Sequence, residues 1–120
     1  MPIVEVEVVG DKKLKDGLAR EIADAAGVIF EGQAGGTWVR LRRLPEGQYA
    51  ENGGGPPEGV RPVFVNVLKG GADGEDERRE EAGKLAEAIG ALCGRPVDNV
   101  HILYLPSGAG RIFFGGTRGK

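Results

Sequence analysis

Hydrophobic and polar positions alternate from the third residue onward. In Ile3–Val9, Val4, Val6 and Val8 fall on one side and Glu5 and Glu7 on the other, which predicts a strand with one buried face. Leu14, Leu18, Ile22, Ala25 and Ile29 then recur every three or four residues, the spacing of one apolar helical stripe, with Asp11 predicted as its cap. Gly32, Gly35 and Gly36 break that helix, and Thr37–Leu44 resumes strand alternation, with Val39 and Leu41 set against Arg40 and Arg42. The stretch PEGQYAENGGGPPEG is too rich in glycine and proline for a regular element, so it is predicted as a loop with room for a short hairpin. Strand, helix and strand patterns follow again over Arg61–Leu68, Asp73–Cys93 and Asn99–Leu105, the helix carrying Ala82, Leu85, Ala86, Ile89 and Leu92 on one face.

The same order therefore occurs twice, at an offset of about sixty positions. Pro2-Ile-Val-Glu-Val aligns with Pro62-Val-Phe-Val-Asn, Thr37-Trp-Val-Arg-Leu with Asn99-Val-His-Ile-Leu, and both halves end in a glycine pair. Strand–helix–strand units close with a right-handed crossover into parallel pairs. An α/β (α+β) domain over 1–120 is expected, built from pseudo-repeats 1–55 and 61–118 joined by the Gly/Pro-rich loop. Its four-stranded mixed sheet would carry both helices on one face. The other face holds the glutamates and arginines, and is expected to line a subunit interface or a solvated channel in a symmetric oligomer.

Composition narrows the class. A chain of 120 residues, 40% hydrophobic, buries one modest core. A net charge of −2, with basic residues spread through both halves, provides no nucleic-acid footprint. The single cysteine, Cys93, excludes an internal disulfide framework and is expected as small core filler. With no apolar run of membrane length, the chain is expected to be a cytoplasmic protein without a membrane partner. Glycine runs around Gly53 and Gly70 lack the Lys-Ser/Thr ending of a phosphate-binding loop, and His101 has no companion ligands, so neither cofactor nor metal is expected.

The opening MPIVEVEVVG holds the candidate chemistry. Pro2 serves either as strand punctuation or, once Met1 is removed, as a secondary amine at the end of a rigid element. A free α-amine titrates at about pH 8 in model peptides. An apolar pocket and neighbouring cations lower that value towards neutrality, which suits a general base.

Met-Pro at the start, the duplicated strand–helix–strand unit and the stretch TWVRLRRLPEGQYAENGG together resemble the tautomerase superfamily, which includes 4-oxalocrotonate tautomerase and macrophage migration inhibitory factor. The resemblance spans nearly the whole chain and implies a homotrimer with Pro2 as catalytic base. It places Lys12 where the family has a substrate-binding arginine, Arg40 at the arginine that binds and polarises substrate, and Tyr49 at a pocket aromatic. Arg42, on the same polar face as Arg40, joins the substrate-binding set, and Arg43 is read as solvated. The implied substrate is a small anionic keto-enol acid. Departures from the pattern shape the alternatives. Lys12 is a lysine and cannot make an arginine fork contact. Glu51 stands where the hydrating dehalogenase members carry a water-activating glutamate, unless the loop shifts by one and Asn52 takes that place. In the second half His101 replaces the arginine, Ile112 replaces the aromatic and Pro62 has no free amine, so one site per chain is implied. Hydration or dehalogenation with Pro2 and Glu51 is the second enzymatic reading, and a non-catalytic trimeric binding protein is the third.

Overall fold

The structure is a computed structural model that describes residues 2–71 and 74–118. The expected excision of Met1 and the helix start at Asp73 lie outside the described residues. The chain runs β1 (Ile3–Val9), α1 (Leu18–Ile29), β2 (Trp38–Leu44), β3 (Val63–Leu68), α2 (Glu75–Cys93), β4 (Val100–Tyr104), β5 (Phe113–Phe114) and β6 (Thr117–Arg118). The first four strands form one mixed sheet ordered β2-β1-β3-β4. Each outer pair is parallel, and the central pair, β1 with β3, is antiparallel.

Strand alternation positions the core. Val4, Val6 and Val8 of β1 and Val63, Val65 and Val67 of β3 are each at most 2% exposed, packed against Leu18, Ile22 and Ala26 of α1 and Leu85, Ala86 and Ile89 of α2. Each fully buried Val, Leu or Ile side chain contributes about 1.5–3 kcal/mol, so the central strands and the two helices share the driving force. Both helices cover this face, as the sequence predicts.

The differences have local causes. Helix α1 starts at Leu18, one turn later than the stripe suggests, because Gly17 precedes it in a left-handed conformation at φ 86°. Leu14 still packs on the core from the preceding turn. Asp11 does not cap the helix. Its carboxylate accepts the Glu46 backbone N–H at 3.0 Å, tying the turn after β1 to a 3₁₀ turn at Glu46–Gln48. That 3₁₀ turn is the regular element of the Gly/Pro-rich loop, and no hairpin forms there among the described residues. A small hairpin forms instead near the C-terminus, β5 with β6, turning at Gly115 and Gly116, both with positive φ.

Face also corrects the repeat. Setting Pro2 on Pro62 would place inward Val4 on Phe64, which points to the opposite side of the sheet, away from the valine row of β3. The inward rows coincide when Val4 is set on Val63, one position fewer, which puts Arg61 rather than Pro62 in the place of Pro2.

On the outward face the register forms three rows. Arg40, Glu5, Asn66 and Leu103 lie in one, and Arg42, Glu7, Phe64 and His101 in the next. Trp38, Ile3 and Leu68 form an apolar row at the remaining end. There the C-terminal segment partly covers the sheet: the Gly108 N–H donates to the Lys69 carbonyl at 2.8 Å, and the Phe114 ring meets Trp38 edge-on at 5.4 Å.

Candidate functional site

The N-terminal end of β1 is fixed from both sides. The Pro2 carbonyl accepts the Trp38 N–H at 3.0 Å, which continues the parallel ladder with β2. On the other side Ile3 faces Leu68, so the antiparallel register carried one position further sets Pro2 opposite Lys69. Directly opposed residues on antiparallel strands project to the same side. Pro2 and Lys69 accordingly line one cleft of about 390 Å³ with Phe30, Gly32, Gln33, Gly36 and Gly70.

Three elements hold the cation there. The Lys69 ammonium lies 3.1 and 3.2 Å from the two Glu81 carboxylate oxygens, and 5.3 Å from the ring centroid of Phe30. Glu81 comes from α2, and Phe30 is the residue that ends α1. The Tyr104 hydroxyl, from the end of β4, donates to the same Glu81 carboxylate at 2.6 Å. Lys69 and Glu81 are only 20% and 17% exposed, so their attraction is less screened than that of a surface pair. A larger cleft of about 480 Å³ shares Lys69 and Tyr104 and adds Arg78 and Ser107. It lacks Pro2, which lines the smaller cleft.

The other predicted site residues gather elsewhere in the protomer. Arg40 reaches Glu5 at 3.5 Å, while Arg42 bonds Glu7 at 3.0 Å and lies 3.7 Å from Glu5, all on the outward sheet face. The hydrogen bond to Glu7, reinforced by the Glu7 and Glu5 charges, raises the Arg42 pKa against a desolvation penalty. Tyr49 donates its hydroxyl to Glu51 at 2.6 Å, and its ring lies 5.8 Å from Phe64, which in turn lies 5.6 Å from His101. That bond, followed by desolvation and the Glu51 charge, raises the Tyr49 pKa. Lys12 is exposed in the turn after β1 and pairs with no carboxylate among the described residues. Thus Tyr49 meets Glu51 and Arg40 meets Arg42 through Glu5, but the walls of the Pro2 cleft are formed by other residues of the same chain.

Lys69, Glu81 and Tyr104 are absent from the sequence-derived site. Only the antiparallel register between β1 and β3 brings Lys69 to Pro2, and hydrophobic alternation does not specify that register. Cys93 packs beside the core, and burial, partly offset by the Arg95 charge, pushes its thiol pKa up, away from nucleophilic use. Among the described residues no three His, Cys, Asp or Glu side chains group to hold a metal, and no helix is long and apolar enough to cross a membrane.

Solved structures share this fold. Pt0534 inactivated by 2-oxo-3-pentynoate superposes with a TM-score of 0.77 at 18% identity, covering 97% of this chain and 94% of that one. The wild-type F6 fused 4-OT, an asymmetric trimer, gives 0.76 at 15% identity over 97% and 94%. Macrophage migration inhibitory factor from Trichinella spiralis gives 0.70 at 14% over 96% and 97%. The chain has the fold of these 4-OT and macrophage migration inhibitory factor structures. No protein-family model and no curated protein sequence matches it. With that fold, this chain presents a cleft at Pro2 closed on one side by its own Lys69.

Proposed function

We propose that the chain is a tautomerase of small anionic 2-oxo or 2-hydroxy unsaturated acids, with Pro2 as general base after loss of Met1. The observation that carries this reading is the placement of Pro2 at the ordered end of β1, in a cleft with an aromatic wall and a cation. The freed Pro2 nitrogen takes the proton of the substrate's 2-hydroxyl, the C2–O bond becomes a carbonyl as the C2–C3 double bond shifts, and the proton returns to C3 or, in a conjugated dienol, to C5. Arg40, Arg42 and Lys12 serve as anion holders that stabilise the developing enolate charge, and Tyr49 shapes the pocket.

Because Arg40, Arg42, Tyr49 and Glu51 lie outside the Pro2 cleft of their own chain, this reading brings them to it from a neighbouring protomer. A homotrimer supplies that arrangement, and the fused 4-OT relative is itself a trimer. A cytoplasmic location belongs to the same reading and is in keeping with one unpaired cysteine.

Ketonisation of 2-hydroxymuconate or enolic phenylpyruvate tests the assignment. Pro2→Ala is expected to lower the rate by about a hundredfold or more. Equal rates in both proteins would remove Pro2 from the mechanism, and a mature mass that includes Met1 would leave its nitrogen blocked and favour a non-catalytic binding protein. The short Tyr49–Glu51 bond favours one second reading, hydration or dehalogenation of an unsaturated acid, with Glu51 activating water and Pro2 protonating carbon. Loss of hydration in Glu51→Gln with ketonisation retained would support it.

A further inference from the structure

The Pro2 cleft has a cation of its own. We infer that Lys69 holds the carboxylate of a short unsaturated monocarboxylate whose apolar part lies on Phe30, making Lys69 the specificity-determining residue of this cleft. The inference rests on reading the cleft as the substrate site, and it reassigns to this chain's own lysine the contact otherwise given to Lys12 and Arg40.

Four observations lead there. Carrying the Ile3–Leu68 pairing one position further sets Lys69 opposite Pro2, so a carboxylate on the ammonium puts the adjoining carbon atoms beside the proline. The ammonium is anchored by both oxygens of Glu81, and Glu81 is shared with the Tyr104 hydroxyl, which takes up part of its acceptor strength. The lysine's position is therefore fixed before any ligand arrives, which lowers the entropic cost of binding. The third is the Phe30 ring, 5.3 Å from the ammonium, a flat apolar surface next to the charge. Finally, Gly32, Gln33, Gly36 and Gly70 line the rest of the cleft, and a Cβ at Gly70 would meet nothing within 4 Å, which leaves room for a planar chain. An unsaturated acid with one charged end and one flat apolar end matches that set.

Cinnamate and its uncharged analogue cinnamamide, titrated calorimetrically into the full chain, separate the charge from the shape. Wild-type protein is expected to bind cinnamate about tenfold more tightly than cinnamamide. Lys69→Met and Lys69→Gln should bind the two equally while melting below wild type, because each leaves the Glu81 carboxylate without its cation, and Lys69→Arg should keep both the pair and the preference. Preference retained in both neutral variants overturns the assignment, as does wild-type protein that binds neither compound. The proposed reaction is judged separately. Carboxylate preference that survives in Pro2→Ala and depends on Lys69 supports this inference even where ketonisation is absent, whereas ketonisation without that preference keeps the reaction and removes Lys69 from it.

Discussion

Tyr49 illustrates what one short bond does to a residue. Its hydroxyl donates to Glu51 at 2.6 Å, and a phenol that donates to a carboxylate resists ionisation, so its pKa stands above the ordinary tyrosine value. The bond therefore stabilises the fold below about pH 10 and is lost as the pH rises through the raised value. Replacing Tyr104, the other tyrosine, with phenylalanine leaves Tyr49 as the reporter in an ultraviolet titration. Adding Glu51→Gln should shift that titration to lower pH; an unchanged midpoint would show that the bond does not persist in solution. The two candidate sites differ in how visible they are at this scale. Pro2 follows directly from the first two letters of the chain, and Arg40, Tyr49 and Glu51 from a short stretch of sequence. Lys69 follows from none of these, because its partner Pro2 lies across an antiparallel junction between strands far apart in the chain.

At the scale of elements, strand alternation was legible because the valine row of β1 has a strict period of two and is buried as read, and β3 carries the same period. Element boundaries were less so, since the left-handed turn at Gly17 overrides an apolar stripe that reaches back to Leu14. The repeat slipped by one because matching prolines weigh heavily in letters, while burial depends on face. The C-terminal hairpin, with strands of two residues each, is too short for any period to register. Helix α2 tests how far propensity alone governs an element. It contains Gly83, exposed with nothing within 4 Å of an added Cβ, and Gly90, where a Cβ would meet the Arg95 carbonyl at 2.8 Å and Val100 at 3.2 Å. Alanine is the better helix former by about 1 kcal/mol. Gly83→Ala should therefore stabilise the protein by up to about 1 kcal/mol in chemical denaturation. Gly90→Ala should destabilise it by about 1–3 kcal/mol, because the opposing atom is backbone and cannot swing aside. Equal effects at the two sites would mean that the packing of α2 on the Arg95–Val100 turn is loose.

At the scale of the molecule, the outward sheet face decides whether the two residue groups form one site. Isolated surface pairs such as Arg42–Glu7 contribute little by themselves. The neighbouring row nevertheless combines Arg40, Glu5 and Asn66 with Leu103, which is 58% exposed, and an apolar side chain amid polar neighbours suits a contact between copies. Sedimentation of the wild type is expected to give three times the 12.6 kDa chain mass. Leu103→Glu would place a second carboxylate in the row that already holds Glu5 and should shift the protein towards monomer. The valine core lies wholly within one protomer, between the sheet and its own helices, so the separated chain keeps its fold. Ketonisation should then fall with the trimer, because Arg40 and Tyr49 no longer reach a neighbour's Pro2. The preference for cinnamate over cinnamamide should persist, because Pro2, Phe30 and Lys69 belong to one chain. Full ketonisation in a demonstrated monomer would show that the outward arginines take no part in the reaction, and loss of the preference with the trimer would show that Lys69 needs a neighbour to hold its ligand.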